Sequence, residues 1–256
     1  MGIIRDASRK ARQLNEEVLP LRAVFVNGTL KPSDKPSNTQ ALVDHVIDLM
    51  KDHDDKPICE TITLADYDFD HSVSREKSSS NDQWPEIYSK LKEADIIVIA
   101  CPIWFGQRSS YIQKVFERLI GSYGDTDDQG RYPLYNKVGG VIVTGNEDGA
   151  HNVVATTTGN MAHLGLLVPP NCDTYWVGDA GAGPSYIQAG QKHLYTNKLA
   201  EYMAHNLIYY GRLIQENPNP INMTELMDKA KSISDEPVEI EDPEEAERLR
   251  RDRDDS

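Results

Sequence analysis

From Arg22 onward, apolar positions come in two patterns that take turns along the chain. Short continuous apolar runs at about 22–27, 57–64, 95–100, 138–144 and 173–177 read as strands covered on both faces. Helical patterns at about 39–52, 84–93, 109–120, 150–164 and 187–214 separate and follow them. In the first helical stretch Ala41, Leu42, Val46, Ile47 and Leu49 fall near one face, and Asn38 or Thr39 can cap it. In the third, Ile112, Val115, Phe116 and Leu119 do the same. Strands alternating with helices predict one doubly wound α/β domain with a five-stranded parallel sheet, over residues 21–215. Residues 1–20 read as a charged N-terminal extension, and 216–256 as an acidic tail, largely disordered or weakly helical. Two polar stretches, 66–82 and 121–136, are long enough to serve as a flap or to wall a substrate pocket.

Charge narrows the classes of function. The 256-residue chain carries a formal charge of −14. Residues 221–256 hold 13 acidic and 6 basic side chains, a net −7, so half of the imbalance sits in the tail. An acidic surface argues against nucleic acid and anionic membranes as partners, since both require basic groups that release counterions. No apolar run approaches the length of a membrane span, so no membrane insertion is expected. The start Met1-Gly2-Ile3-Ile4-Arg5-Asp6 lacks the apolar stretch of a signal peptide. Cys59, Cys101 and Cys172 stand far apart, as reduced thiols in a cytoplasmic protein do.

In a parallel sheet of this kind the loops leaving the strands gather at one edge, where a flat, phosphate-bearing cofactor binds. The first loop runs from Gly28 to Thr39. Hydroxyls of Thr29, Ser37 and Thr39, the Asn38 amide and the free N–H groups of a helix start can all donate to a phosphate. Ser37-Asn38-Thr39 also reads as plain helix capping, and the loop has neither G-K-[ST] nor G-x-G-x-x-G. The second loop, Pro102-Ile103-Trp104-Phe105-Gly106, has a stiff exit, two aromatics suited to a ring system, and a glycine that permits close backbone approach to a ligand. Trp104 and Phe105 also admit a reading as core residues, the lesser of the two. The third loop carries Thr144, Gly145, Asn146 and Gly149, whose backbone can meet a ring edge, and ends at His151, a candidate ligand or substrate contact. Gly178–Gly183 is glycine-rich but lacks dinucleotide order. No H-E-x-x-H or other metal-ligand spacing occurs, nor a G-x-S-x-G elbow.

The Ser37-Asn38-Thr39 helix start, Ala100-Cys101-Pro102-Ile103-Trp104-Phe105-Gly106, and the helix Gln113-Lys114-Val115-Phe116-Glu117-Arg118-Leu119 together resemble the NAD(P)H-dependent FMN reductase group of the flavodoxin-like superfamily. That resemblance spans about residues 22–210 and implies sheet order 2-1-3-4-5, with FMN at the switch between strands one and three. It implies that Thr29, Ser37, Asn38 and Thr39 hold the FMN phosphate, and that 102–106 and 144–149 surround the isoalloxazine. It further implies hydride transfer from NADPH or NADH through flavin to a quinone, free flavin or similar small-molecule acceptor, with chemistry at flavin N5 and no catalytic side chain. Trp104, Phe105 and His151 are the candidates to face the substrate. A homodimer or homotetramer is the expected assembly. The compact cysteine cluster of related iron–sulfur flavoproteins is missing, which argues against a cluster. Two rivals stay open: a flavodoxin-type electron carrier without nicotinamide turnover, and a flavin-free interaction protein on the same fold.

Overall fold

The computed structural model describes residues 19–53, 56–181 and 183–234. Most of the N-terminal extension, and the tail from residue 235, lie outside the described residues. Residues 19–126 and 132–219 form one compact unit, and residues 127–131 with 220–234 form a second.

In the first unit, five parallel strands are β1 (Arg22–Asn27), β2 (Ile58–Thr63), β3 (Ile96–Trp104), β5 (Val138–Gly145) and β6 (Asp173–Val177), ordered β2-β1-β3-β5-β6. This is the order 2-1-3-4-5 expected for the parallel strands. A two-residue antiparallel strand, β4 (Gln107–Arg108), pairs with the end of β3. Helices α1 (Asn38–Lys51) and α5 (Leu194–Glu216) cover one face, and α2 (Trp84–Glu93), α3 (Ser110–Ile120) and α4 (Ala150–His163) the other. The strand residues divide by parity, as a pleated strand requires. Val24, Val26, Ile97, Ile99, Val141 and Val143 pack toward α2, α3 and α4, whereas Ala23, Phe25, Ile96, Val98, Val138 and Ile142 pack toward α1 and α5.

Two boundaries differ from the sequence expectation. The third strand does not stop at Ala100 but runs to Trp104. Ala100 is its last partner of β1, so Pro102 sits where that side of the strand needs no ladder N–H, while Pro102 stays in register with Thr144 of β5. The last long helix starts at Leu194 rather than 187. Residues 186–189 form turns and Gly190–Lys192 a short 3-10 helix, and a Cβ on Gly190 would come within 2.3 and 2.8 Å of the Tyr186 and Trp176 rings. His193 then caps α5 by accepting from the Thr196 N–H through Nδ1.

The 66–82 stretch is held in place, not left free as a flap. Asp82 accepts from the N–H groups of Asp70, Ser78 and Trp84, and pairs with Arg118 of α3 at 2.8 Å, both side chains fully buried. Arg118 also reaches the carbonyls of Asp70 and Glu76 and the Ser78 hydroxyl. In the second unit, α6 (Met223–Ser234) buries none of its residues, and Gln129 O accepts from the Met223 N–H at 2.8 Å. Among the described residues no helix is long and apolar enough to cross a membrane.

Candidate functional site

A cavity of about 430 Å³ opens at the carboxyl edge of the sheet, within the size range of small-molecule sites. One wall is the first loop and the start of α1, through Thr29, Leu30, Lys31, Ser37, Asn38 and Thr39. Ser37 is the N-cap residue of α1, in extended conformation, and its Oγ accepts from the Gln40 N–H at 3.3 Å. The Ser37 hydroxyl donates to Thr29 Oγ1 at 3.1 Å. Fully buried Asn27 fixes both ends of the loop: its Oδ1 accepts from the Thr29 N–H, and its Nδ2 donates to Gln40 Oε1. Lys31 Nζ donates to the Pro36 carbonyl at 2.9 Å, which places a cation at the same wall. The remaining N–H groups at the helix start, its positive dipole end, the hydroxyls and Lys31 make a donor set suited to a phosphomonoester.

Pro102, Ile103 and Trp104 of β3 form the second wall, and Thr144, Gly145 and Asn146 of β5 the third. The first and third walls are joined where the Thr39 and Thr144 hydroxyls meet at 2.7 Å. A strap of residues 178–181 and 183–187 adds Gly183, Ser185 and Tyr186, and Trp176 of β6 lines the cavity as well. Gly145 O accepts from the Gly178 N–H, Asn146 O accepts from the Gly181 N–H, and Asn146 Nδ2 donates back to Gly181 O. At the far end Asn38 Oδ1 accepts from the Ile187 N–H at 3.1 Å, so the strap is fastened to the first turn of α1. Apolar and aromatic walls beside a polar anion cradle fit a flavin mononucleotide, ring against the walls and phosphate at α1.

Of the residues singled out from sequence, Thr29, Ser37, Asn38, Thr39, Pro102, Ile103, Trp104, Thr144, Gly145 and Asn146 line this cavity. Phe105, Gly106, Gly149 and His151 do not. Phe105 and Gly106 form the two-residue turn between β3 and β4, with φ of +50° and +73°, the pattern of a type I′ hairpin. Phe105 is 95% exposed, and its N–H donates to Glu147 Oε1. The nearest atom to a Cβ on Gly106 would be Asp148 O at 3.8 Å, so its glycine answers the turn's φ and no crowding demands it. His151 Nε2 lies 3.1 Å from the Tyr175 hydroxyl with the rings edge to face, away from the cavity lining. No residue of 66–82, 121–126 or 132–136 lines the cavity either, so the expected pocket-walling role of those loops is not seen.

Lys31, Trp176, Ser185 and Tyr186 were not singled out from sequence. Lys31 carried a usable signal as a cation inside the phosphate-suited loop. Trp176 looked like one more strand aromatic. No cysteine lines the cavity, and burial pushes the Cys101 thiol up to about 12. Among the described residues no cluster of metal-ligating side chains occurs.

Gly149 locks the third loop to the hairpin. Its φ is +129°, and a Cβ there would lie 2.5 Å from Gly106 Cα. Gly149→Ala is expected to destabilise the fold by about 1–3 kcal/mol, read by urea denaturation. A variant as stable as the parent would show that the two turns can separate freely.

The sequence profile for the NADPH-dependent FMN reductase family matches residues 21–179. The chain is 36% identical over 227 residues to the 8-demethyl-8-aminoriboflavin-5′-phosphate synthase of Streptomyces davaonensis, covering 85% of this chain and 88% of that protein. It is similar to the crystal structure of RosB with bound 8-demethyl-8-formylriboflavin-5′-phosphate, with a TM-score of 0.78, 35% identity, and coverage of 87% of this chain and 93% of that one. An iron–sulfur flavoprotein of Methanocaldococcus jannaschii is 24% identical over 176 residues, 64% of this chain and 83% of that protein. With the flavodoxin-like sheet and the cavity at its carboxyl edge, the profile match settles the family: this chain belongs to the NADPH-dependent FMN reductase family.

Proposed function

We propose that the chain binds FMN in this cavity and works as an oxidoreductase that takes hydride from NADPH or NADH and passes electrons to a small-molecule acceptor such as a quinone or free flavin. The observation that carries this reading is the meeting of the α1 anion cradle with the 102–104 and 144–146 walls in one cavity. FMN supplies both the hydride-accepting centre and a proton site, so no acid or nucleophile is asked of the protein. Ser37, Asn38, Thr39 and Lys31 anchor the phosphate. Ile103, Gly145 and Asn146 bound the ring, and Trp104, 51% exposed at the mouth, is the side chain best placed to meet nicotinamide or acceptor. His151, bonded to Tyr175, has no part in this scheme. A cytoplasmic homodimer or homotetramer, with no nucleic-acid partner, completes the proposal.

A second reading keeps the cavity and makes the flavin phosphate a substrate to be altered. The 36% identity to the Streptomyces davaonensis synthase over most of both chains favours it. The mass of the flavin recovered after prolonged NADPH turnover separates the two. Unchanged FMN is expected; a changed ring substituent would move the chain to the second reading.

A further inference from the structure

Two donors in the cavity have nothing to donate to. Tyr186 lines it and is 1% exposed; its hydroxyl makes no hydrogen bond to a described residue, although the oxygen itself is not fully buried. Trp176 lines it as well, and its Nε1 is buried without an acceptor. Buried donors are rarely left unpaired in a native protein, and one that lines a binding cavity commonly has its acceptor on the ligand. Burial pushes the Tyr186 phenol up to about 12, so it keeps its proton throughout the neutral range.

Their neighbours say which end of the ligand they face. Trp176 is the ladder partner of Thr144, whose hydroxyl meets that of Thr39 in the first turn of α1. Next to Tyr186, the Ile187 N–H is held by Asn38, also in that turn. Tyr186 and Trp176 pack edge to face with ring centroids 6.5 Å apart, and the close approach of Gly190 fixes both rings. Both donors therefore stand beside the anion cradle. Tyr186 stands on the strap and Trp176 on β6, and neither belongs to the first loop.

Building on the FMN reading, we infer that Tyr186 and Trp176 donate to the phosphate of the bound flavin and close the anion cradle from the strap side. Tyr186 and the strap's Ser185 fall beyond residue 179, where the match to the family profile ends.

The test compares Tyr186→Phe and Trp176→Phe with the parent, each freed of flavin and titrated with FMN and with riboflavin by fluorescence. Loss of one hydrogen bond to a charged group should raise the FMN Kd by about tenfold in Tyr186→Phe and leave riboflavin within about twofold. Inorganic phosphate should also protect that variant less against thermal unfolding than it protects the parent. An unchanged FMN Kd, or equal losses for both flavins, would overturn the inference. Tyr186→Phe removes a single oxygen, so it decides the matter even if Trp176→Phe fails to fold. A parent protein that binds no FMN would instead sink the reading beneath it.

Discussion

Replacing Ser37 and Thr39 together by alanine is expected to weaken FMN by about tenfold or more while riboflavin loses far less, since a hydrogen bond to a charged group contributes about 1.5–3 kcal/mol and the Ser37 hydrogen is already given to Thr29. Ser37 Oγ already caps α1 at Gln40, so part of the effect is structural. Loss of a cap costs about 1 kcal/mol of helix stability and weighs equally on both flavins. The phosphate contribution is thus the change in the ratio of the two affinities. Thr39 and Thr144 share one hydrogen between their oxygens, which leaves a second hydrogen free for the ligand. Equal losses for FMN and riboflavin would remove these two residues from the phosphate site.

The second large effect lies away from the cavity. Arg118→Ala would leave Asp82 fully buried with its charge partner gone, a change that typically destabilises by about 3–5 kcal/mol. Burial acts to raise the Asp82 pKa. The Ser78 and Trp84 N–H groups, the Arg118 guanidinium and the Asp70 N–H outweigh it and hold the carboxyl below its ordinary value. A depressed carboxyl stabilises the fold in full above its unfolded pKa, and that stabilisation drains away as pH falls through the folded one. Stability of the parent should therefore fall on acidification more steeply than that of Arg118→Ala. Urea denaturation across the acid range reads both effects. FMN affinity should be unchanged, because residues 66–82 line no part of the cavity. A variant within about 1 kcal/mol of the parent would mean that other contacts hold the 66–82 stretch.

The contrast between these two regions explains what was legible in the sequence. Strands such as Ile96–Ala100 announce themselves because both faces are covered and every position is apolar. Once strand–helix alternation fixes the sheet as parallel, the loops after Asn27, Ala100 and Gly145 must share an edge, and ten of the chosen loop residues do line one cavity there. Phe105 and Gly106 belong to the same segment but serve a hairpin, since a two-residue turn takes two positive φ values wherever it sits. The Asp82–Arg118 pair spans 36 residues and leaves no periodic trace. Trp176 and Tyr186 were hidden for a different reason. Their role depends on the strap folding back to Asn146 and Asn38, and the Gly178–Gly183 stretch betrays only that it can bend.

The most direct measurement mixes the FMN-loaded protein with NADPH, and separately with NADH, in the absence of oxygen and follows the flavin absorbance in a rapid-mixing instrument. At least one nicotinamide is expected to bleach the bound flavin within a single turnover, and a quinone or free flavin then to restore the colour. A bound flavin that stays oxidised with both nicotinamides would contradict it and leave an electron carrier, or an enzyme that alters the flavin itself.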